Sequence, residues 1–450
     1  MPHSATERQR FTTTAGVRLR ATFDAGRLTS DGGLPWLVEA DQDLGLSARL
    51  AGCVPEWRHG PVQHSLVALV RQRVFQIACG YADQNDASTL RSDPLLKLVC
   101  GRQPESSADL ASQPTLSRLE NAVDRHACEA LAEALVGIYI QQRQAVGPPR
   151  HLVLDLDGTD DPAHGRQPEM AYHGFYRQHM YFPLLVFDGD TGQLITAVLR
   201  PGNVHGSRFV VLVLRRLLKR LRAAWPQVSV EMRADSGFAV PRLYAWCEQH
   251  GVDYTIGLVP NRRLIVQAAP LLAQALAASA AQGGAKVRLT AETSYRAKSW
   301  PRPRRVIYKA EALTKGPNTR FVITTRSDDP LTVYDWYVDR GEPENWIKDF
   351  KNALQADHLH DHRFWANAFR LLLHAAAYWL LDTLRRWLIQ HLGRAAQVQL
   401  DTLRLRLLKI GGRVRELPQQ IRLHLASSHP GEPLWLALAA HQGRLMNKTG

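Results

Sequence analysis

The stretch His151-Leu152-Val153-Leu154-Asp155-Leu156-Asp157-Gly158-Thr159 is an apolar β run that ends in a glycine turn. Alternation along a strand puts Asp155 and Asp157 on one face, with Asp157 at the strand's end. Working outward, residues 151–156, 180–188 and 194–199 read as strands. A basic amphipathic helix over 209–225, a strand at 229–234, a helix at 240–250 and a strand at 254–259 follow. Strands first and then alternating helix and strand predict an α/β fold with a mixed-sheet core. Residues 261–335 interrupt that alternation with an Ala-rich helix and three β-prone runs, 286–292, 304–311 and 320–325, and read as a β-rich insertion.

Upstream, apolar residues from Leu34 to Gln144 recur at helical spacing until the breaker cluster Gly147-Pro148-Pro149. The predicted organisation is an all-helical domain over 1–147, a mixed-sheet domain over 148–391 containing the insertion, and a helical C-terminal segment over 392–450. With 45% hydrophobic and 22% charged residues the chain can bury a core, which excludes wholesale disorder. The 56 Lys and Arg exceed the 42 Asp and Glu, a net charge of +14 that favours a polyanionic partner. Five scattered cysteines with no C-x-x-C pair argue against a disulfide scaffold and place the chain in a reducing cytosol. The polar N-terminus predicts no secretory signal. The apolar run 371–381 is too short to span a bilayer and reads as a buried helix, so no membrane association is expected.

Two readings compete for the first acidic stretch. Carboxylates at a strand end suit a hard divalent cation, which prefers oxygen ligands. The local pattern Asp155-x-Asp157-Gly158-Thr159 also resembles the nucleophile loop of haloacid-dehalogenase-type phosphatases, in which the first Asp would take up a phosphoryl group. That fold requires strand-helix-strand crossovers, whereas a hairpin through Tyr181 and Gly192 follows here. A second acidic stretch, Arg233-Ala234-Asp235-Ser236-Gly237-Phe238, repeats the strand-to-turn pattern, and carboxylates from two strands of one sheet can converge on a metal pair. The segment Tyr337 to Lys351 offers a third, Glu344. Pro343 starts a helix there that sets Lys348 and Lys351 on roughly the same face as Glu344.

Tyr337, Arg340, Glu344 and Lys351 match in full the tyrosine–arginine–glutamate–lysine signature of bacterial insertion-sequence transposases of the DDE type. With the two aspartate stretches in order, residues 147–391 resemble that family's catalytic domain. The resemblance implies a ribonuclease H-like fold with its insertion between the second and third acidic motifs. It also implies two magnesium ions, for which manganese can substitute, and cut-and-paste transposition by hydrolysis and strand transfer at terminal inverted repeats. Carried over by residue, Asp157, Asp235 and Glu344 are the catalytic and metal-binding triad, and Tyr337, Arg340 and Lys351 contact DNA; Lys348, on the Glu344 face by helical spacing, is a further expected phosphate contact. Asp157 is chosen over Asp155, Asp160 and Asp161 because it immediately precedes the Gly158-Thr159 turn. Glu344 is chosen over Glu342 by its spacing.

Further DNA contacts are expected from Trp300, Arg302, Arg304 and Arg305 in the insertion, with Trp300 stacking a displaced base. Gln113, Thr115 and Arg118 lie on a helix start resembling a helix-turn-helix reader. The basic run Arg215 to Arg222 reads either as a solvated helix face or as a backbone contact. The implied partners are double-stranded terminal-repeat DNA, target DNA and a second copy of the chain in a synaptic dimer built partly by the C-terminal segment. The implied setting is the bacterial cytoplasm, at the nucleoid. The alternative in another class is a DNA-binding protein derived from a transposase that no longer transposes.

Overall fold

The computed structural model describes residues 9–449 except 13, 164, 315 and 340, and describes no side chains at 9–12, 20, 342, 343, 395 and 443–449. The described residues start with strands, not helices. β1 (Gln9–Thr12) pairs antiparallel with β2 (Arg18–Ala21), and β3 (Leu28–Thr29) follows. Helices α1 (Leu34–Leu44), α2 (Leu46–Ala51), α3 (Leu66–Ala78), α4 (Asp86–Leu90), α5 (Pro94–Val99), α6 (Gln113–Asn121) and α7 (Arg125–Val146) then occupy the region read as helical. Their starts are chemically marked. Asp93 and Asp124 accept from the N–H groups of Leu95, Leu96 and Ala127, and Ser65 from that of Ala68, satisfying donors that a helix start leaves open. α7 stops at Gly147, whose φ of 135° a side chain would resist.

The sheet region contains β4 (His151–Gly158), β5 (Asp161–Pro162), β6 (Ala171–His173), β7 (Gln178–Tyr181), β8 (Leu184–Asp188) and β9 (Leu194–Val198). It continues through α8 (Val210–Ala224), β10 (Ser229–Ala234), α9 (Pro241–Gln249), β11 (Val252–Leu258), α10 (Arg262–Ala281), β12 (Val287–Tyr295), β13 (Arg304–Leu313) and β14 (Gly316–Thr324). An eight-stranded mixed sheet has the order β12-β13-β14-β11-β10-β4-β8-β9. β4, β10 and β11 are parallel, β8 is antiparallel to β4, and β9 to β8. The residues read as an insertion therefore extend this sheet, because β14 pairs antiparallel with β11 and leaves no gap between the two. β5, β7 and β6 make a separate small sheet beside the end of β4. Among the described residues one helix, α10, is long and apolar enough to cross a membrane by length and composition. It lies along β12, β13 and β14.

α11 (Pro330–Val338) and α12 (Gly341–Lys348) lead, through a π-turn at Asp349–Ala353, to the long α13 (Phe364–Leu392). α13 is buried along most of its length. It packs on α1, α3, α6 and α7 and on β9, so the N-terminal helices and the sheet share one hydrophobic core. Tyr378 donates to the Gly192 carbonyl and Trp379 to that of Leu194, both at 3.0 Å, fastening α13 to the β8–β9 hairpin while satisfying two buried polar atoms.

Two expectations need correction. The N-terminal 147 residues are not all-helical, and the C-terminal segment is not purely helical. Between α14 (Leu400–Leu403) and α15 (Glu432–Thr449) stands the hairpin β15 (Gly412–Leu417) and β16 (Gln420–Leu425), with β3 pairing to β15. The period-2 alternation of Arg413, Val414 and Arg415, with Val414 buried between exposed arginines, drives the strand. Closure by β3 lies far outside any local sequence window.

The helix–sheet core also encloses charge. Glu120 is fully buried and accepts from Arg73 at 2.9 Å and from Arg370. Arg73 additionally donates to the carbonyls of Tyr81 and Ala82. Burial pushes the Glu120 carboxyl up, but the two guanidinium groups outweigh it and hold it below the ordinary carboxylate range. A lowered folded-state value stabilises the protein above the unfolded carboxyl pKa of about 4.3, and that gain is lost as pH falls through the folded value. Glu120→Gln should cost about 3–5 kcal/mol at pH 7 by stranding two buried cations, and should flatten the loss of stability below about pH 4. Denaturant unfolding across pH would show both.

Candidate active site

Register decides which carboxylates meet. In the parallel β4–β10 ladder Asp155 lies opposite Arg233 and Leu156 opposite Ala234. The next step sets Asp157 beside Asp235, whose backbone is still extended, at roughly the 5 Å spacing of adjacent strands. Paired residues project to the same face, so both carboxylates leave the carboxyl ends of adjacent parallel strands together. Both side chains are partly exposed, unlike Asp155, which is 1% exposed.

Asp155 is held by Arg233. Nε and Nη2 of the guanidinium donate to Oδ1 and Oδ2 at 2.7 Å each, a two-pronged pair sealed from water. Trp336 of α11 closes it from above, stacking at 4.8 Å from the guanidinium and accepting from Nη1 through its carbonyl. Asp155 is thereby unavailable as the nucleophile that a phosphatase would need. On Asp235, Oδ1 accepts from the Gly237 N–H at 2.8 Å, which shapes the turn.

The segment Tyr337–Lys351 crosses this same face. At one end the Tyr337 hydroxyl donates to the Ala234 carbonyl at 3.3 Å, just before Asp235. That reach requires Gly257 on β11, because a Cβ there would stand 2.7 Å from the hydroxyl. At the other end Lys351 Nζ donates to the Asp160 carbonyl and to Oδ1 at 2.8 Å each, and lies 3.7 Å from Asp357. Between them Trp346 packs on Phe187, the residue opposite Asp155 across the β4–β8 ladder, with centroids 5.5 Å apart. Glu344 falls midway on α12 with its side chain exposed, as is that of Lys348. Arg340 and the Glu342 side chain lie outside the described residues.

Asp160 and Asp161 diverge in character. Asp160 loses solvation, but its bonds from Lys351 and Gln178 prevail and hold its carboxyl below the usual range. Asp161 is buried with no hydrogen-bond partner on either oxygen, and burial, reinforced by Asp357, pushes it well above that range. Neither stands at the carboxyl end of a sheet strand with a partly exposed side chain, as Asp157 and Asp235 do. Among the described residues no group of three or more His, Cys, Asp or Glu side chains stands close enough to hold a metal ion. The two neighbouring aspartates nonetheless offer the hard oxygen donors that a divalent cation of the magnesium type takes.

The family model for transposase DDE domain group 1 matches residues 11–446, nearly the whole chain. The chain belongs to this transposase family. Two solved structures are similar at low level. A piggyBac transposase synaptic complex with hairpin DNA is 12% identical, covering 88% of this chain and 81% of its own, with a TM-score of 0.42. The Mos1 transposase paired-end complex with left transposon end is 13% identical, covering 68% and 83%, with a TM-score of 0.18. At these scores neither superposition defines equivalent residues. No curated protein matches the chain.

Several expected DNA contacts of the transposase are corrected by burial. Trp300 is 5% exposed, with Tyr244 and Tyr295 edge-on to it at 5.5 Å, so it is a core ring and cannot stack a displaced base. Arg304 is buried and bonds Glu248 through Nε and Nη2 at 2.8 and 3.0 Å, which leaves it no phosphate to hold. Arg305 is tied to Glu292 and to the Asp328 carbonyl, and Arg302, although exposed, pairs with Glu248 at 2.7 Å. On α6, Gln113 donates its amide to Gln84 and Thr115 is half-buried, while Arg118 is exposed. On α8, Arg216 and Arg220 pair with Glu129 and Glu133 of α7, and Arg215 and Lys219 remain exposed.

Sequence reasoning missed Arg233 and Gly257 as positioning residues. Arg233 had a readable signal: it precedes Asp235 by the same two-residue step as Asp155 precedes Asp157. Asp155→Asn should destabilise the fold by about 3–5 kcal/mol because it strands Arg233. Asp157→Asn and Asp235→Asn should stay within about 1 kcal/mol of the parent, since partly exposed positions tolerate a neutral isostere. Thermal unfolding of the three variants separates the structural carboxylate from the other two.

Proposed function

We propose that this transposase excises and inserts a bacterial insertion sequence of the tyrosine–arginine–glutamate–lysine type. It would act by metal-dependent phosphodiester hydrolysis and strand transfer at the element's terminal inverted repeats. The observation that carries the reading is the side-by-side placement of Asp157 and Asp235, with a segment anchored at Ala234 and at Asp160 that carries Glu344 between its anchors. The strand order around β4, an antiparallel β4–β8–β9 meander on one side and the parallel β10 and β11 on the other, supports a ribonuclease H-like core.

In this reading Asp157 and Asp235 would hold two magnesium ions, and Glu344, exposed on its helix, would supply the third carboxylate. Bound ions of this kind activate an attacking oxygen and neutralise the leaving one. The remaining work falls to the chain. The Arg233–Asp155 pair fixes the spacing of the two strands, and Trp336 and Trp346 keep water from the floor of the site. Tyr337 locks the turn before Asp235, and Lys351 braces the loop after Asp157. In-line displacement at phosphorus needs positioning and charge neutralisation and no protein nucleophile, consistent with the sequestration of Asp155.

Exposed Lys348, Arg302 and Arg118 supply phosphate contacts, and Arg340 joins them from the signature. Each phosphate neutralised releases counterions, so binding should weaken steeply with salt. The working assembly is a homodimer pairing two element ends, to which the C-terminal segment contributes, acting on chromosomal DNA in the bacterial cytoplasm.

The test is cleavage of linear DNA carrying the element's terminal repeat. Magnesium or manganese should give cutting at the repeat boundary. Asp157→Ala, Asp235→Ala and Glu344→Ala should reduce it to background while retaining DNA binding. Equal cleavage by Glu344→Ala would show that the third carboxylate is misassigned. Specific binding with no cleavage by the parent protein would favour the non-transposing DNA-binding alternative.

A further inference from the structure

We propose that Arg326 and Glu231 are positioning residues for the reaction: with Arg233 they form a two-cation clamp on the Trp336 ring, which fixes where the Glu344-bearing segment leaves the sheet. The inference rests on the transposase reading above and adds residues outside both the acidic turns and the signature.

Glu231, Arg233 and Asp235 occupy every second position of β10 and its extended continuation, so all three project to the face that carries the paired aspartates. Across that face Glu231 lies opposite Asp253 of β11, and Thr255 lies between Arg233 and Thr324 of β14. Arg326, two residues beyond β14, folds back on this surface. Its N–H donates to the Thr324 hydroxyl at 3.0 Å, and its guanidinium donates from Nη1 to Glu231 Oε2 at 2.7 Å and from Nε to Asp328 at 2.9 Å. Arg305 of β13 braces the turn by donating to the carbonyls of Arg326 and Asp328.

Two guanidinium groups therefore meet one indole. Arg326 stands over the Trp336 ring at 4.4 Å and Arg233 at 4.8 Å, and Arg233 also donates to the Trp336 carbonyl at 2.9 Å. The π face of a ring attracts cations, more strongly where water is scarce, as it is beside buried Arg233. Each cation is in turn held by a buried carboxylate, Arg233 by Asp155 and Arg326 by Glu231. An ordinary surface ion pair accounts for Arg326 with Asp328. It does not account for Glu231, which is 2% exposed and keeps Oε1 buried with no hydrogen-bond partner. Burying that oxygen costs free energy, and what it secures is the guanidinium on the indole.

The place of Trp336 in the chain gives the clamp its consequence. Trp336 directly precedes Tyr337, whose hydroxyl reaches the Ala234 carbonyl, and α12 with Glu344 begins at Gly341. α11 packs Val333 and Tyr334 on Ile307 and Val322, a small cluster apart from the main core, so the Trp336 contacts set the angle at which the chain enters α12. Burial pushes Glu231 up to about 7, with Arg326 and Arg233 opposing and Asp253 adding, and His151 of β4 stands 3.7 Å away. A Glu231 deprived of Arg326 can therefore take up a proton, and Arg326→Met leaves no stranded buried charge.

Two measurements on the full chain test the clamp. In the protein without DNA or metal, backbone hydrogen exchange in α11 and α12 should quicken about 10-fold in Arg326→Met and in Trp336→Ala, with β10 and α13 unchanged and Trp336→Phe as protected as the parent. With terminal-repeat DNA and manganese at saturation, the same two variants should cut about 10-fold more slowly at unchanged DNA affinity, and Trp336→Phe should cut as the parent does. Arg326→Met combined with Glu231→Gln should match Arg326→Met alone, which separates loss of the clamp from any charge left on Glu231. Parental exchange in Arg326→Met would overturn the clamp, and faster exchange with parental cutting would overturn its positioning role. A parent that cuts no terminal-repeat DNA would overturn the transposase reading, and the exchange result would still decide whether the clamp holds α11.

Discussion

The buried pair between Arg233 and Asp155 is the constraint on which the site depends. It locks β4 to β10 in one register, because a one-residue slip would carry either charge to the opposite face with no partner. Once that register holds, the chain has no freedom in what comes next: Asp157 and Asp235 emerge side by side, and each strand breaks into a glycine-containing turn. The ion pair also roofs itself with Trp336, which brings α11 onto the face where the aspartates project. A charge cluster that reads as chemistry in sequence thus divides into one carboxylate that builds the site and two that can act there.

The rest of the fold serves to hold this face rigid. α13 threads the junction between helices and sheet and fastens the β8–β9 hairpin by two indole and phenol hydrogen bonds. The β12–β14 ribbon lengthens the sheet on the far side, and its Arg304 and Trp300 form a closed packing unit with Glu248 of α9 instead of an open DNA surface. Basic residues in this protein are consequently of two kinds. Many are consumed by internal ion pairs, and those left exposed, such as Arg118, Lys348, Arg166 and Arg177, are the ones that can meet a polyanion.

Much of the fold was legible from local pattern. The strand ending at Gly158, the helix and strand alternation from Phe209 to Val259, and the N-terminal helices follow from periodicity and capping chemistry, and the elements lie within a few residues of the expected positions. What was not legible depends on partners distant in sequence. The pairing of β3 with β15 joins opposite ends of the chain, and β14 meets β11 across α10 and a hairpin. In the site, the strand-to-turn pattern singled out Asp157 and Asp235. Nothing local distinguished Trp300, buried against two tyrosines, from Phe175, which faces water, since exposure is settled by tertiary packing alone. Arg304 was misread for the same reason: its carboxylate partner, Glu248, lies on α9, distant in sequence.

The most direct measurement is the structure of the transposase bound to its terminal-repeat DNA with calcium, which occupies oxygen sites without supporting fast hydrolysis. The account predicts cations ligated by Asp157 and Asp235 at about 2.3–2.6 Å, with Glu344 brought into the same cluster and Asp155 still paired to Arg233. Cations held instead by Asp155, Asp160 or Asp161, or a Glu344 that stays in solvent with DNA and metal in place, would contradict it.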